Sequence, residues 1–225
     1  MKEKYYKAYN ERYKAAHSLG VSWSSNVATP IVSEVLTKYN IGKGKKLLEI
    51  GCGEGRDARV LLDAGYNLLA TDISNEAIEY CKNTISDHKN CFSTFDCLSD
   101  NLEERYDFIF AIAVIHMLVL DSDRDLFYQF IKRHLNDGGI ALICTMGDGS
   151  MEMKSDIATA FDLQEREHES GKMMVAATSC RMVSFKKLEE EILRNGLFLI
   201  EEGITSSFPD FNSLMYAVVK AQIQQ

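Results

Sequence analysis

The stretch 47-LLEIGCGEGRDARVLL-62 sets three glycines, Gly51, Gly53 and Gly55, within five positions directly behind an apolar run. Glycine is the residue a chain uses where another group must approach the backbone or where φ must be positive. A short apolar strand, a glycine-rich turn and the start of a helix together form a platform for a nucleotide-like cofactor. Asp72 ends the next apolar run, about 20 residues beyond Gly51, where an acidic side chain accepts hydrogen bonds from ribose hydroxyls. The spacing of the glycines separates two kinds of cofactor. A dinucleotide fingerprint, G-x-G-x-x-G, would place its third glycine at position 56. That position is Arg56, and the third glycine is Gly55. A long charged side chain at 56 obstructs the close helix–sheet packing of a dinucleotide site and counts against a nicotinamide-dependent oxidoreductase.

Outward from this turn, strand-like and helix-like segments alternate. KLLEI, NLLATD, CFSTFD, YDFIFAIAV and IALICTM read as strands. Between them RDARVLLDAG carries Val60, Leu61 and Ala64 at helical spacing, and NEAIEYCKNTI and DRDLFYQFIKRHLNDGG are also helical. The first, fourth and fifth strands are apolar almost throughout, the pattern of a parallel sheet covered by helices on both faces. SFKKLEEEILRNG then reads as a helix capped by Ser184, followed by LFLIEEGI and SLMYAVVKA. The short connection between these last two makes them an antiparallel pair, since parallel neighbours need a long crossover. The expected fold is therefore α/β: a mostly parallel seven-stranded sheet with one reversed strand near the C-terminus.

Two regions stand outside the alternation. Residues 1–40 hold a helix with Tyr5, Tyr9 and Tyr13 four apart, then a second helix with Thr29 as cap and Pro30 in its first turn. Residues 146–183 form a long connection, rich in Met, with a helical stretch expected near 157–166. The organisation expected is a single domain over 1–225, with an N-terminal helical lid (1–40) and a cofactor-binding core (46–145). A substrate-cap insertion (146–183) and a C-terminal helix and strand pair (184–225) complete it.

Composition narrows the function. The formal net charge is -8, with 46% hydrophobic and 26% charged residues. Such a balance fits a globular protein acting on small molecules and opposes a nucleic-acid surface, which needs clustered Lys and Arg. The six cysteines form no C-x-x-C pair, so they read as free thiols in a reducing compartment, with no metal expected. The first 20 residues are charged throughout, unlike a secretory signal, and the longest apolar run, 108–120, is too short to span a bilayer. A cytoplasmic monomer or homodimer is expected, with no membrane or nucleic-acid partner.

EIGCGEG resembles motif I of the class I S-adenosylmethionine-dependent methyltransferases, and GCGEGRDARVLLDAGYNLLATD is similar to the thiopurine and tellurite-resistance branch of that family. The resemblance covers roughly residues 47–145. It implies the Rossmann-like methyltransferase fold, with S-adenosyl-L-methionine as cofactor and S-adenosyl-L-homocysteine as its product. By this resemblance Glu49 orients the methionyl group, and Gly51, Cys52 and Gly53 line the cofactor with backbone. Asp72 takes the ribose, Ile73 lies on the adenine face, and Asp96 with Cys97 holds the adenine edge. YDFIFAIAVIHML is similar to motif IV, in which Ala111 offers its carbonyl to the cofactor's ammonium and His116 faces the acceptor. LNDGGIALI departs from the family only at Asp137, where Pro is common, and that affects a turn.

The segment after strand four reports on the acceptor. Family members that methylate exocyclic amino groups of DNA or glutamine side chains carry an Asn/Asp/Ser-Pro-Pro-aromatic motif there, and Ala111-Ile112-Ala113-Val114 does not match it. The expected activity is in-line methyl transfer to oxygen, nitrogen or sulfur of a small molecule. A non-catalytic, cofactor-binding regulatory protein and a nicotinamide oxidoreductase are the alternatives. His116 suits a general base, since its unperturbed pKa of about 6.5 lies near neutrality; a packing role at the pocket base is equally open. Tyr9, Tyr13 and Trp23 are expected to wall the acceptor pocket, and Arg181 to hold an anionic acceptor. Against these stand a Tyr stripe that only packs its helix and an Arg181 that lies on the surface.

Overall fold

The near-continuous apolar strands pair as their burial demands. The computed structural model describes residues 4–168, 170–205 and 214–221. In chain order the elements are α1 (Ala8–Ser18), α2 (Pro30–Lys38), β1 (Lys46–Ile50), α3 (Arg56–Asp63), β2 (Asn67–Asp72), α4 (Asn75–Thr84), β3 (Phe92–Thr94) and β4 (Tyr106–Ile112). There follow α5 (Asp121–His134), β5 (Leu135–Met146), β6 (Met153–Lys154), β7 (Leu163–His168), β8 (Gly171–Ala176), β9 (Arg181–Met182), α6 (Phe185–Arg194), β10 (Leu197–Thr205) and β11 (Leu214–Ala221).

Seven strands form one sheet in the order β10-β11-β5-β4-β1-β2-β3. β1, β2, β3, β4 and β5 run parallel, and β11 is antiparallel to both β5 and β10, so the reversed strand stands where the short connection put it. Alternation along the strands splits the core into two layers. Leu47, Phe108, Phe110 and Leu142 face one way and pack with Ile31, Val35, Leu61, Leu62 and Ile78 of α2, α3 and α4. Leu48, Ile109, Ala111 and Ile143 face the other way, against Phe127, Phe130, Ile131, Leu188 and Ile192 of α5 and α6. The order reverses at β1, which has β2 on one side and β4 on the other. Ligands of open α/β sheets bind outside the carboxyl ends of the strands at such a point.

Several expectations need correction. Residues 157–166 are not a helix: a single 3-10 turn, Ile157–Thr159, precedes β7, which pairs antiparallel with β8. Met173 and Val175 alternate inward in β8 and pack on Ala16 of α1, a period-two pattern hidden beneath the helix-forming residues of the preceding stretch. In α3 the inward residues are Ala58, Leu61 and Leu62, whereas Val60 and Ala64 are exposed. Thr29 precedes Pro30 at the head of α2 but makes no cap bond; its hydroxyl donates to Asp57 Oδ2 at 2.8 Å. Strand five begins at Leu135, directly after α5, not after the two glycines. Ser184 does cap α6, accepting from Lys187 N. The six cysteines are free, with Cys52, Cys81 and Cys144 buried. Among the described residues no helix is long and apolar enough to cross a membrane, and no group of three His, Cys, Asp or Glu is placed to hold a metal.

Candidate active site

The carboxyl ends of β1, β2 and β4 and the loop after β3 open onto a cavity of about 1340 Å³. Ligand pockets are typically about 300–1,000 Å³, so this one has room for two ligands side by side. Of the residues singled out from sequence, Glu49, Gly51, Cys52, Gly53, Asp72, Ile73, Asp96, Cys97, His116, Tyr9, Tyr13 and Trp23 all line it. Ala111 and Arg181 do not.

The glycine turn is tight for three different reasons. Gly51, Gly53 and Gly55 all have positive φ, at 72°, 54° and 78°. A Cβ on Gly51 would collide with the Val114 side chain, and one on Gly53 would come within 2.7 Å of the Tyr13 hydroxyl. Gly55 faces away from the cavity: a Cβ there would meet Ile85 at 2.7 Å and Cys81 at 3.0 Å, so this third glycine serves the packing of α4. Arg56 is accommodated by turning toward α2, where its guanidinium donates to Thr29 Oγ1 at 3.1 Å and Asp57 Oδ2 at 3.3 Å.

The ends of β1 and β2 and the loop after β3 each deliver a carboxylate. Asp72 accepts from Gly53 N and from Ser74 N, both at 2.8 Å, which ties the glycine turn to the end of β2. Burial raises its pKa, and these backbone N–H groups pull it part of the way back. Glu49 is 2% exposed and its side chain makes no hydrogen bond to a described residue; its Oε2 is fully enclosed without a partner. Burial, helped by the charge of Asp57, pushes its pKa well above the usual carboxylate range. Asp96 accepts from Leu98 N at 3.0 Å, from the Tyr6 hydroxyl at 3.3 Å and from Lys4 Nζ at 3.4 Å. Burial pushes the Cys97 thiol far up, so it stays protonated.

Ala111 lies inside β4, 1% exposed, and its place at the cavity is taken by Ala113. Ala113 has φ 57° and donates its N–H to Cys144 O at 3.0 Å. A left-handed alanine costs roughly 1–2 kcal/mol, and such strain gathers where a strand end must turn sharply into a site. Nothing in the sequence marks an alanine for that conformation.

His116 sits in the 3-10 turn Ile115–Met117 beyond β4, 3% exposed. Burial, and then the positive charges of Arg124 and Arg12, hold its pKa down to about 3. The imidazole is therefore neutral over any ordinary working pH. Its loop is pinned from three sides. Arg124 Nη1 donates to Ile115 O at 2.8 Å and Leu118 O at 3.3 Å, and Ser179 Oγ to Met117 O at 2.6 Å. The Tyr5 hydroxyl accepts from Val119 N and Leu120 N and donates to Asp123 Oδ2. Arg124 is itself fully buried against Glu191, Nη2 to Oε2 at 2.7 Å. Arg181 belongs to this scaffold: it donates to Val119 O at 2.7 Å and pairs with Asp121 at 2.9 Å. Its charge is spent outside the cavity, and it is not placed to hold an acceptor there.

The N-terminal segment lines the cavity and is held there by contacts that sequence reading missed. Glu54, 7% exposed, accepts from Trp23 N, Ser24 N and Ser24 Oγ, each at 2.7 Å, and lies 2.8 Å from His17 Nε2. Asn10 Oδ1 accepts from Ser74 Oγ at 2.9 Å. Arg12, 6% exposed, donates to Ala176 O, Ala177 O and Thr178 Oγ1 and so fastens α1 to the end of the β7–β8 hairpin. Glu54 and Asp57 were legible only as polar residues of the glycine turn, because their partners lie about 30 residues earlier in the chain.

Residues 23–172 match the family model described as tellurite resistance protein TehB. The chain belongs to the TehB family. A curated relative, the probable S-adenosyl-L-methionine-dependent methyltransferase TehB of Haemophilus influenzae strain Rd, is 30% identical over 118 residues, 51% of this chain and 41% of that protein. The chain thus spans less than half the length of the curated TehB relatives it matches. Solved structures share the fold. The CcbJ methyltransferase of Streptomyces caelestis superposes with a TM-score of 0.70 at 17% identity, covering 96% of this chain and 99% of that one. An S-adenosylmethionine-dependent methyltransferase of Clostridium acetobutylicum gives 0.68 at 15% identity, covering 93% and 96%. The TehB-family chain therefore has the Rossmann-like methyltransferase fold that the resemblance of its glycine motif implies.

Proposed function

We propose that the protein is an S-adenosylmethionine-dependent methyltransferase acting on a small-molecule acceptor. The observation that carries this reading is Glu49. A buried carboxylate with no hydrogen-bond partner, at the end of the central strand and facing a cavity, is costly unless a ligand supplies a positive or donor group. The residues fit the cofactor: Glu49 suits its ammonium end, Asp72 has lone pairs left for ribose hydroxyls, and Asp96 with the apolar Ile73 suits an adenine. When bound, S-adenosylmethionine supplies an electrophilic methyl group on a sulfonium.

What this chain contributes is chiefly alignment and exclusion of water. In-line displacement needs two reactants held in register, which is an entropic task. Residues 4–24 and the segment 146–183 close over the two ends of the cavity, Tyr9, Tyr13 and Trp23 supplying its walls. His116, pinned by Arg124, Ser179 and Tyr5, presents a neutral imidazole to the acceptor end; with so low a pKa it orients an acceptor by hydrogen bonding and does not keep a second proton taken from it. An acceptor that arrives already ionised, or that loses its proton to water, suits such a site. The relatives' names support the cofactor, and the acidic net charge supports a small acceptor over nucleic acid. Calorimetry with S-adenosylhomocysteine tests the binding half. Tritium transfer from labelled cofactor to a panel of small oxygen, nitrogen and sulfur nucleophiles tests the catalytic half. Binding without transfer to any of them would favour a regulatory role, and no binding would refute the reading.

A further inference from the structure

Glu49, Asp72 and Asp96 crowd the strand ends, whereas Arg12 and Arg166 line the end beneath the β7–β8 hairpin. Among the described residues neither arginine has a carboxylate within ion-pair distance. Arg12 gives four of its five N–H groups to two carbonyls and to the hydroxyls of Thr178 and Tyr9. Those oxygens satisfy its hydrogens and leave its charge uncompensated. It is stacked at 4.7 Å from the centre of the Tyr9 ring and 4.9 Å from that of Trp23. The Arg166 side chain makes no hydrogen bond to a described residue, so its donor fork is available. Its charge lowers the pKa of Arg12, after burial and against the pull of Tyr9, which places the two cations within each other's field. Glu167, next along β7, also reaches the cavity rim; Lys172, opposite it in register, pairs instead with Glu165 at 2.6 Å.

We infer that the acceptor carries a carboxylate on an organic, apolar body, its anionic group held by Arg166 in the field of Arg12 and its body against Trp23 and Tyr9. This rests on the proposed methyltransferase reading and specifies the acceptor within it. A guanidinium fork matches a carboxylate in two parallel hydrogen bonds, and a partly buried pair of like charges is relieved by one anion between them. The aromatic walls require more than a bare inorganic ion: they offer contact area that only a carbon skeleton fills.

The test uses matched fluorinated fragments, 4-fluorophenylacetate and 4-fluorophenylacetamide, titrated by fluorine NMR into the full chain with and without saturating S-adenosylhomocysteine. The acid should bind about tenfold more tightly than the amide, and the preference should disappear in Arg166→Gln while affinity for S-adenosylhomocysteine is unchanged. Arg166 is exposed and its replacement leaves the fold intact; Arg12→Gln, which also loosens the hairpin, is the second variant. Equal binding of acid and amide, no acid binding up to about 10 mM, or a preference that survives in both variants overturns the inference. So does displacement of the acid by inorganic phosphate at equal concentration, which would mark a site for small inorganic oxyanions. Bound S-adenosylhomocysteine with no acid preference refutes only the acceptor class. An acid preference without S-adenosylhomocysteine binding refutes the methyltransferase reading and leaves the anion site standing.

Discussion

Replacing Glu49 by Gln removes a negative charge from the end of β1 while keeping the side chain's shape. In the ligand-free protein the carboxylate is enclosed and unpartnered, and its pKa is raised by burial. The folded chain therefore holds the proton more tightly than the unfolded one, whose carboxyl titrates near 4.5. Stability then falls as pH climbs from that value through the raised folded one, and above both the whole penalty is present. An unsatisfied buried polar group costs about 1–3 kcal/mol. Glu49→Gln should recover roughly 1–2 kcal/mol of it at neutral pH, raising the ligand-free melting temperature by about 2–8 °C for a chain of this size. Cofactor affinity should move the other way. Loss of a charged partner costs about 1.5–3 kcal/mol, or roughly 10- to 150-fold in Kd. Differential scanning fluorimetry of the free protein and calorimetry with S-adenosylhomocysteine read the two effects separately. In the wild type, affinity should also rise with pH across the titration of Glu49, and in the variant it should not. A variant both less stable and equally tight would show that Glu49 is a structural acid with no ligand to meet.

Asp72→Asn should weaken S-adenosylhomocysteine binding at least about tenfold by calorimetry, since the amide keeps one acceptor but loses the charge shared between Gly53, Ser74 and the ribose. For His116→Gln, kcat should fall less than about tenfold with no change in the pH profile, because a histidine with pKa about 3 is neutral in both limbs; a fall of about 10² or more with a lost ionisation near neutrality would restore the general base. Removing residues 1–20 should abolish turnover and also speed cofactor release in stopped-flow, since Tyr6 and His17 bond Asp96 and Glu54 of the cavity lining; unchanged turnover in the folded truncation refutes the lid. Glu191→Leu leaves Arg124 buried alone and should cost about 3–5 kcal/mol in urea unfolding, most of which the double variant with Arg124→Met should recover.

Much of the sheet was legible because burial on both faces leaves so plain a mark. Leu47, Leu48, Phe108, Ile109 and Phe110 have apolar neighbours on either side and can belong only to inner parallel strands. The glycine spacing and the acids at strand ends were legible for a similar reason, since turn geometry and strand length fix where such residues emerge. The β7–β8 hairpin was not, because its outward Glu165, Glu167 and Lys172 are good helix formers and its inward face is defined only by α1 packing on it. The place of Arg181 was hidden for the same reason. Which arginine faces the cavity depends on partners 60 to 160 residues away, Val119 for one and Ala176 for the other, and local pattern carries no record of them. Arg56 was read rightly as incompatible with a third glycine, but its partner Thr29 was out of reach of any motif.

The way α1 is fastened has a consequence for how the chain reaches its native state. Tyr5 bonds residues 114 positions ahead of it and Arg12 bonds one 164 positions ahead. Contacts of such long range repay their loop-closure cost late, after the more local strand and helix pairs have formed. This helix is thus among the last to dock, and it docks onto loops that the sheet has already set in place. An unfinished molecule of this kind has its β-sheet in order and its cavity still open to water. Burst-phase circular dichroism should then develop before the emission of Trp23, the single tryptophan, which lies between Arg12 and His168 and reports the final closure.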